Sequence, residues 1–227
     1  MKKKILIVAL FALCLFGFVG CGKNKINLSD YLIEQRENLF TAHDDLYAVS
    51  FSTGTRESDY NFDGIINEKV PFGVLTLTRK QNLPLANDTY TYIVTINEQT
   101  YTGFLEKGNN NSYSADLEVN TVGDETINVQ ISFTGYTFNQ DLTNTSSNFQ
   151  VDGTTALKIA QDELQESVSN LLKDKNVKIE VVMKLMKDYS NEELQSYYWY
   201  VGIISTNGDT LGLLVDANSG DIIAKKI

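Results

Sequence analysis

The run Asp59-Tyr60-Asn61-Phe62-Asp63-Gly64 sets carboxylate, amide and carboxylate on alternate positions and ends in glycine. Hard cations take oxygen donors at that spacing, and glycine allows the sharp bend of a calcium loop. Ile66 stands at the apolar position and Asn67 at the ninth. The twelfth position, which should supply a bidentate carboxylate, is Val70, and Pro71 follows where a helix should leave the loop. Glu57 or Glu68 would have to complete the shell. The spacing therefore reads first as an Asx-rich turn between strands, with a calcium site on Asp59, Asn61 and Asp63 as the alternative. No metal or cofactor is assigned.

Acid–base chemistry near neutral pH usually needs histidine, and the chain has only His43. His43-Asp44-Asp45 could sketch a metal site, but a histidine closing a helix, favoured there by the helix dipole, is the simpler expectation. With one histidine, and cysteines only at positions 14 and 21, the usual zinc sites and Cys–His catalysis are excluded from the body of the chain. A Ser–His–Asp triad would depend entirely on His43. No glycine-rich phosphate loop, dinucleotide fingerprint or nucleophile elbow occurs. Tyr197-Tyr198-Trp199-Tyr200 could form a recognition stripe, yet alternate residues of a strand face opposite ways, so core packing accounts for it. Asp188, Glu192 and Glu193 read as a solvated hairpin tip. No catalytic residue is expected, and the chain reads as a non-enzyme.

The elements that must carry these residues begin after an export signal. Lys2, Lys3 and Lys4 precede an uncharged apolar run from Ile5 to Phe18, and Val19-Gly20-Cys21 supplies small residues at a cleavage point. The apolar run is shorter than the ~20 residues a membrane-spanning helix needs. The pattern resembles a bacterial lipoprotein lipobox, with Phe18 standing where leucine is usual. That resemblance implies removal of residues 1–20 and lipidation, palmitate included, of Cys21 as the new first residue. It also implies a home on the outer face of the cytoplasmic membrane. Cys14 leaves with the signal, so the mature body has no disulfide.

Formal net charge is −10, from 19 basic and 29 acidic residues. Loss of Lys2, Lys3 and Lys4 leaves 16 basic residues against 29, or −13. Such a body lacks the phosphate-neutralising charge that nucleic acid requires, and lipid rather than charge must hold it at a membrane.

Residues 21–27 form a polar tether. Ser29 caps a predicted leading helix that runs to about His43, with Leu32, Leu39 and Phe40 as its apolar stripe. Period-two alternation then predicts strands at Tyr47–Ser52, Gly73–Arg79, Thr89–Ile96, Tyr101–Glu106, Tyr113–Val119, Ile127–Phe133 and Tyr136–Leu142. Their short linkers indicate an antiparallel meander. Residues 143–150 are a polar loop separating a β-rich domain (28–148) from a second domain (149–227). In the latter, Asp152 or Thr154 caps a helix with Ala156, Ile159, Ala160, Leu164, Val168, Leu171 and Leu172 on one face. Strands at Val177–Met186, Tyr197–Ser205, Thr210–Asp216 and Ile222–Ala224 follow, with Asn207-Gly208 as a hairpin turn.

The stretches TALKIAQDEL and YYWYVGIISTNGDTLGLLVDANSGDIIAKK resemble the PepSY domain, through Trp199, Val201, Val215, Asp216, Ala217, Gly220 and Ile222. The resemblance implies one helix packed on a small antiparallel sheet. It also suggests regulation of peptidases, and it transfers no catalytic residue. The expected whole is an α+β protein: a β-rich antiparallel N-terminal domain with a leading helix, then a PepSY-like domain. Its expected role is a non-enzymatic binding or regulatory module of the cell envelope. Its partners would be the membrane, through the lipid on Cys21, and an exported protein such as a peptidase. A calcium-dependent ligand-binding protein is the alternative.

Overall fold

The computed structural model describes residues 25–59, 61–80, 89–108, 112–119, 126–187, 189 and 196–227. The signal segment and Cys21 lie outside the described residues, as do Asp188, Glu192 and Glu193. A single turn of 3-10 helix at Leu28–Tyr31 leads into β1 (Leu32–His43). The chain continues as β2 (Tyr47–Glu57), β3 (Lys69–Arg79), β4 (Tyr90–Ile96), β5 (Gln99–Lys107), β6 (Ser112–Leu117), β7 (Ile127–Phe133) and β8 (Tyr136–Asn144), and the expected simple meander is broken where β3 pairs with β6 and β4 with β7. After α1 (Gly153–Leu171) come β9 (Ile179–Met186), β10 (Tyr198–Ser205), β11 (Thr210–Asp216) and β12 (Ile222–Lys226).

The expected α+β architecture is overturned. Strands dominate the described residues, which hold one α-helix, and strands β1-β2-β3-β6-β5-β4-β7-β8 close into an eight-stranded antiparallel barrel through the β1–β8 pairing. The same sheet runs on through β9, β10, β11 and β12, in place of a PepSY-like arrangement beside a separate β-rich domain.

The predicted leading helix is β1, and the error has a physical cause. Leu32-Ile33 and Leu39-Phe40 recur seven residues apart, which suits a helix stripe. In the sheet the doublets serve two cores instead: Leu32 and Leu39 pack with the α1 residues, while Phe40 packs inside the barrel. A central strand buried on both faces loses the alternation that would have revealed it. A bulge between Arg36 and Asn38 resets the facing partway along β1. Gly54 lies opposite this bulge, where a Cβ would sit 1.8 Å from the Gln35 carbonyl oxygen, so only glycine fits.

β1 also divides its outer edge. Leu32 to Arg36 pair in parallel with β9, and Phe40-Thr41 pair antiparallel with β8. The barrel seam there is two pairs long, backed by Thr145 N–H and Oγ1, both donating to the Leu39 carbonyl at 2.9 Å. Phe40, Phe51, Leu75, Leu77, Tyr90 and Ile131 fill the barrel interior. Burying each such side chain contributes roughly 1.5–3 kcal/mol. The second core lies between α1 and the sheet of β9, β10 and β11, where Ala156, Ala160, Leu164 and Val168 meet Val181, Val201 and Val215. Asp152 caps α1 by accepting from Thr155 N–H at 2.7 Å, and Trp199 Nε1 donates to the Val151 carbonyl at 2.8 Å. The closing turn uses Asp216 Oδ1, which accepts from Asn218 and Ser219 N–H at 2.8 and 2.9 Å, and Gly220 at φ +79.

Candidate functional site

Where the outer face of the barrel meets the C-terminal strands, β1, β2, β3 and β6 form a floor and the end of β9 a wall. The groove between them has a volume of about 390 Å³, within the range of small-ligand sites. Its floor follows from strand register. Thr41 faces Ser50, Ser50 faces Thr76 and Thr76 faces Ser114, so four hydroxyl residues form one row across four strands. Neighbouring strands lie ~4.8 Å apart, so the row runs roughly 14 Å. Ser52, Thr78 and Ser112 flank it, while Leu39, Val74 and Leu185 give the groove an apolar component.

The charge here is opposite to that of the chain as a whole. Arg36, Lys184 and Lys187 line the groove, and no carboxylate is among its described lining residues. Arg36 is held in place: its Nε lies 2.7 Å from Glu34 Oε1 and its Nη1 donates to Ser52 Oγ at 3.2 Å. Lys184 is the register neighbour of Arg36 across β1 and β9. Its ammonium sits 5.4 Å from the Tyr200 ring centroid and makes no ion pair among the described residues. Burial, and then the Arg36 guanidinium, push its pKa down to about 8, although Glu34 works the other way. Lys187 lies 5.1 Å from the ring centroids of both Tyr189 and Tyr197. Chemically the groove offers hydroxyls and cations, with Lys184 holding its proton less tightly than an ordinary lysine.

The residues singled out by sequence are not gathered here. Asp59, Asn61 and Asp63 are exposed. Asp63 Oδ1 accepts from Ile65 N–H at 2.8 Å, an Asx turn, and among the described residues no group of three acidic, histidine or cysteine side chains is placed to hold a metal. The loop docks on two buried carboxylates instead. Glu57 Oε1 accepts from Asn67 N–H at 2.6 Å, and Glu180 Oε1 accepts from Gly64 N–H. The second oxygen of each is buried without a hydrogen-bond partner among the described residues. Burial first, then the charges of Glu57 and Asp63, raise the Glu180 pKa against the pull of the loop N–H groups.

His43 ends a strand rather than a helix, exposed, with its ring 6.2 Å from that of Tyr189. Asp44 is spent on the β1–β2 turn, accepting from Leu46 and Tyr47 N–H at 2.8 and 2.7 Å and from the Tyr136 hydroxyl. Those bonds, with Lys80, outweigh burial and lower its pKa. Of the aromatic run, Tyr198 and Trp199 are buried, whereas Tyr197 and Tyr200 reach the cations just described.

Sequence reasoning missed the groove. Its signal was the triple recurrence of hydroxyl pairs at period two, Ser50-x-Ser52, Thr76-x-Thr78 and Ser112-x-Ser114. In isolated strands that is ordinary solvent-facing alternation, and only register makes it one surface. Comparison with protein-family models, curated proteins and solved structures finds no match for this chain.

Proposed function

We propose that this is a non-enzymatic binding module of the bacterial cell envelope that works through the groove beside β1. In this reading the chain is exported, held at the outer face of the cytoplasmic membrane by lipid on Cys21, and presents the groove to a ligand outside the cell. The observation that carries it is the row Thr41-Ser50-Thr76-Ser114, set at the foot of a wall bearing Lys184 and Lys187. Supporting a binding role over catalysis, the lining supplies hydroxyls and cations, while His43 and the buried acids Glu57 and Glu180 stand elsewhere. Regulation of an exported peptidase rested on the C-terminal resemblance, and the groove adds nothing specific to it.

The test is hydrogen–deuterium exchange of the full chain in non-ionic detergent, with a panel of neutral and charged sugars, polyols and short peptides. Protection confined to β1, β2, β3 and β6, and removed by Thr76→Trp, is the expected result. Protection only elsewhere refutes the reading. Labelled palmitate should enter the chain in bacterial membranes and fail to enter Cys21→Ala.

A further inference from the structure

Lys184 and Lys187 stand in a concave, hydroxyl-floored groove without a carboxylate among its described lining residues, on a chain whose net charge is −10. Desolvating an ammonium without a counter-ion is costly, and sheets normally answer it with a cross-strand acid. Here the register neighbour of Lys184 is another cation, Arg36. Arg36 is already matched by Glu34 at 2.7 Å, and among the described residues neither Lys184 nor Lys187 makes an ion pair, so these two leave positive charge in the groove. Stacking of their ammonium groups against Tyr200, Tyr189 and Tyr197 fixes where that charge points without neutralising it.

We infer that the groove takes an oxyanion, phosphate or carboxylate, carried on a hydroxyl-rich chain of the sugar or polyol kind; this rests on the groove being the binding surface. Lys184 and Lys187 contact the anionic group. Arg36, held by Glu34 and Ser52, raises the local potential. The row Thr41-Ser50-Thr76-Ser114 exchanges hydrogen bonds with the carrier's hydroxyls, each of its side chains able to donate and accept. The row is roughly 14 Å long, so it can engage several hydroxyl groups in succession.

The experiment uses the full chain in non-ionic detergent and four probes: glycerol 3-phosphate, glucuronate, and their neutral counterparts glycerol and glucose, with inorganic phosphate as a fifth arm. Binding is read by calorimetry and by the rate of Lys184 acylation with an amine-reactive ester, followed by peptide mass spectrometry. A bound anion favours the ammonium form, so labelling of Lys184 should slow and its pH midpoint should rise. The expected result is saturable binding of both anionic probes, weakened by salt, with Lys184→Met costing roughly tenfold or more in affinity. Neutral probes should bind at least about tenfold more weakly than their anionic partners. Equal binding of glucose and glucuronate, blocked by Thr76→Trp but indifferent to Lys184→Met, overturns the anion assignment and leaves the groove reading standing. Inorganic phosphate binding as tightly as glycerol 3-phosphate overturns the hydroxyl-rich carrier. Failure of every probe, charged and neutral, overturns the assignment and the groove reading together.

Discussion

Replacing Lys184 by methionine should make the protein more stable at neutral pH, although it removes a side chain from the proposed site. Methionine keeps much of the apolar stem against Tyr200 and discards the charge. The lysine pKa falls from 10.5 to about 8, and each unit corresponds to about 1.4 kcal/mol between charged and neutral forms. Carrying the ammonium in the folded state therefore costs at most about 3 kcal/mol. The stacking on Tyr200 at 5.4 Å returns roughly 1 kcal/mol. The net gain for Lys184→Met is about 2 kcal/mol, or roughly 4–8 °C in melting temperature for a chain of this size. The sign with pH follows from a depressed folded-state pKa. The cost is complete below pH 8, shrinks as pH rises, and vanishes above 10.5 where the amine is neutral in both states. Thermal unfolding of wild type and variant from pH 7 to pH 10.5, followed by Trp199 fluorescence, measures this directly. A variant less stable at pH 7, or a difference constant across the range, would refute the claim that Lys184 is a desolvated, unpaired cation.

The remaining expectations concern the scaffold and the acidic loop. Glu180 has a raised folded-state pKa, so its contribution is fully present below the unfolded carboxyl value and is lost as pH rises through the folded one. Glu180→Gln, which keeps an acceptor for Gly64 N–H, should raise the melting temperature at pH 7 and flatten its gain on acidification; equal pH profiles for both proteins would count against the buried charge. Millimolar calcium should leave the melting temperature unchanged, because Asp63 serves its own turn and Asp59 and Asn61 are exposed; a rise of several degrees that Asp63→Asn removes would restore the calcium alternative. Asp152→Ala should cost about 1 kcal/mol by leaving the first turn of α1 uncapped, measurable as a shift in urea midpoint at constant slope. Gly54→Ala should cost more than about 4 kcal/mol or prevent folding, since its Cβ would meet the Gln35 carbonyl; a variant that melts like wild type would show that the β1 bulge can move.

Much of the local structure was written in the sequence. Alternation located β4, β7, β8, β10 and β11 to within a residue or two, and Asp152 with its following apolar stripe located α1. Asn207-Gly208 marked the β10–β11 turn, where Gly208 has φ +91. These signals are local because each depends on residues a few positions apart. The lipobox-like segment is local in the same way, and the reading of Cys21 rests on it alone.

What the tertiary structure decided begins with β1. Its apolar doublets are compatible with a helix, and only placement between two cores, with β9 and β8 dividing one edge, makes a strand the better solution. That placement joins the expected domains in one sheet and closes the barrel, a non-local pairing more than a hundred residues apart that no window of sequence encodes. The groove has the same origin. Thr41, Ser50, Thr76 and Ser114 become one row through register, and Lys184 arrives beside Arg36 through the parallel β1–β9 pairing. Composition declared an acidic chain; the fold set Arg36, Lys184 and Lys187 together on one hydroxyl-lined surface.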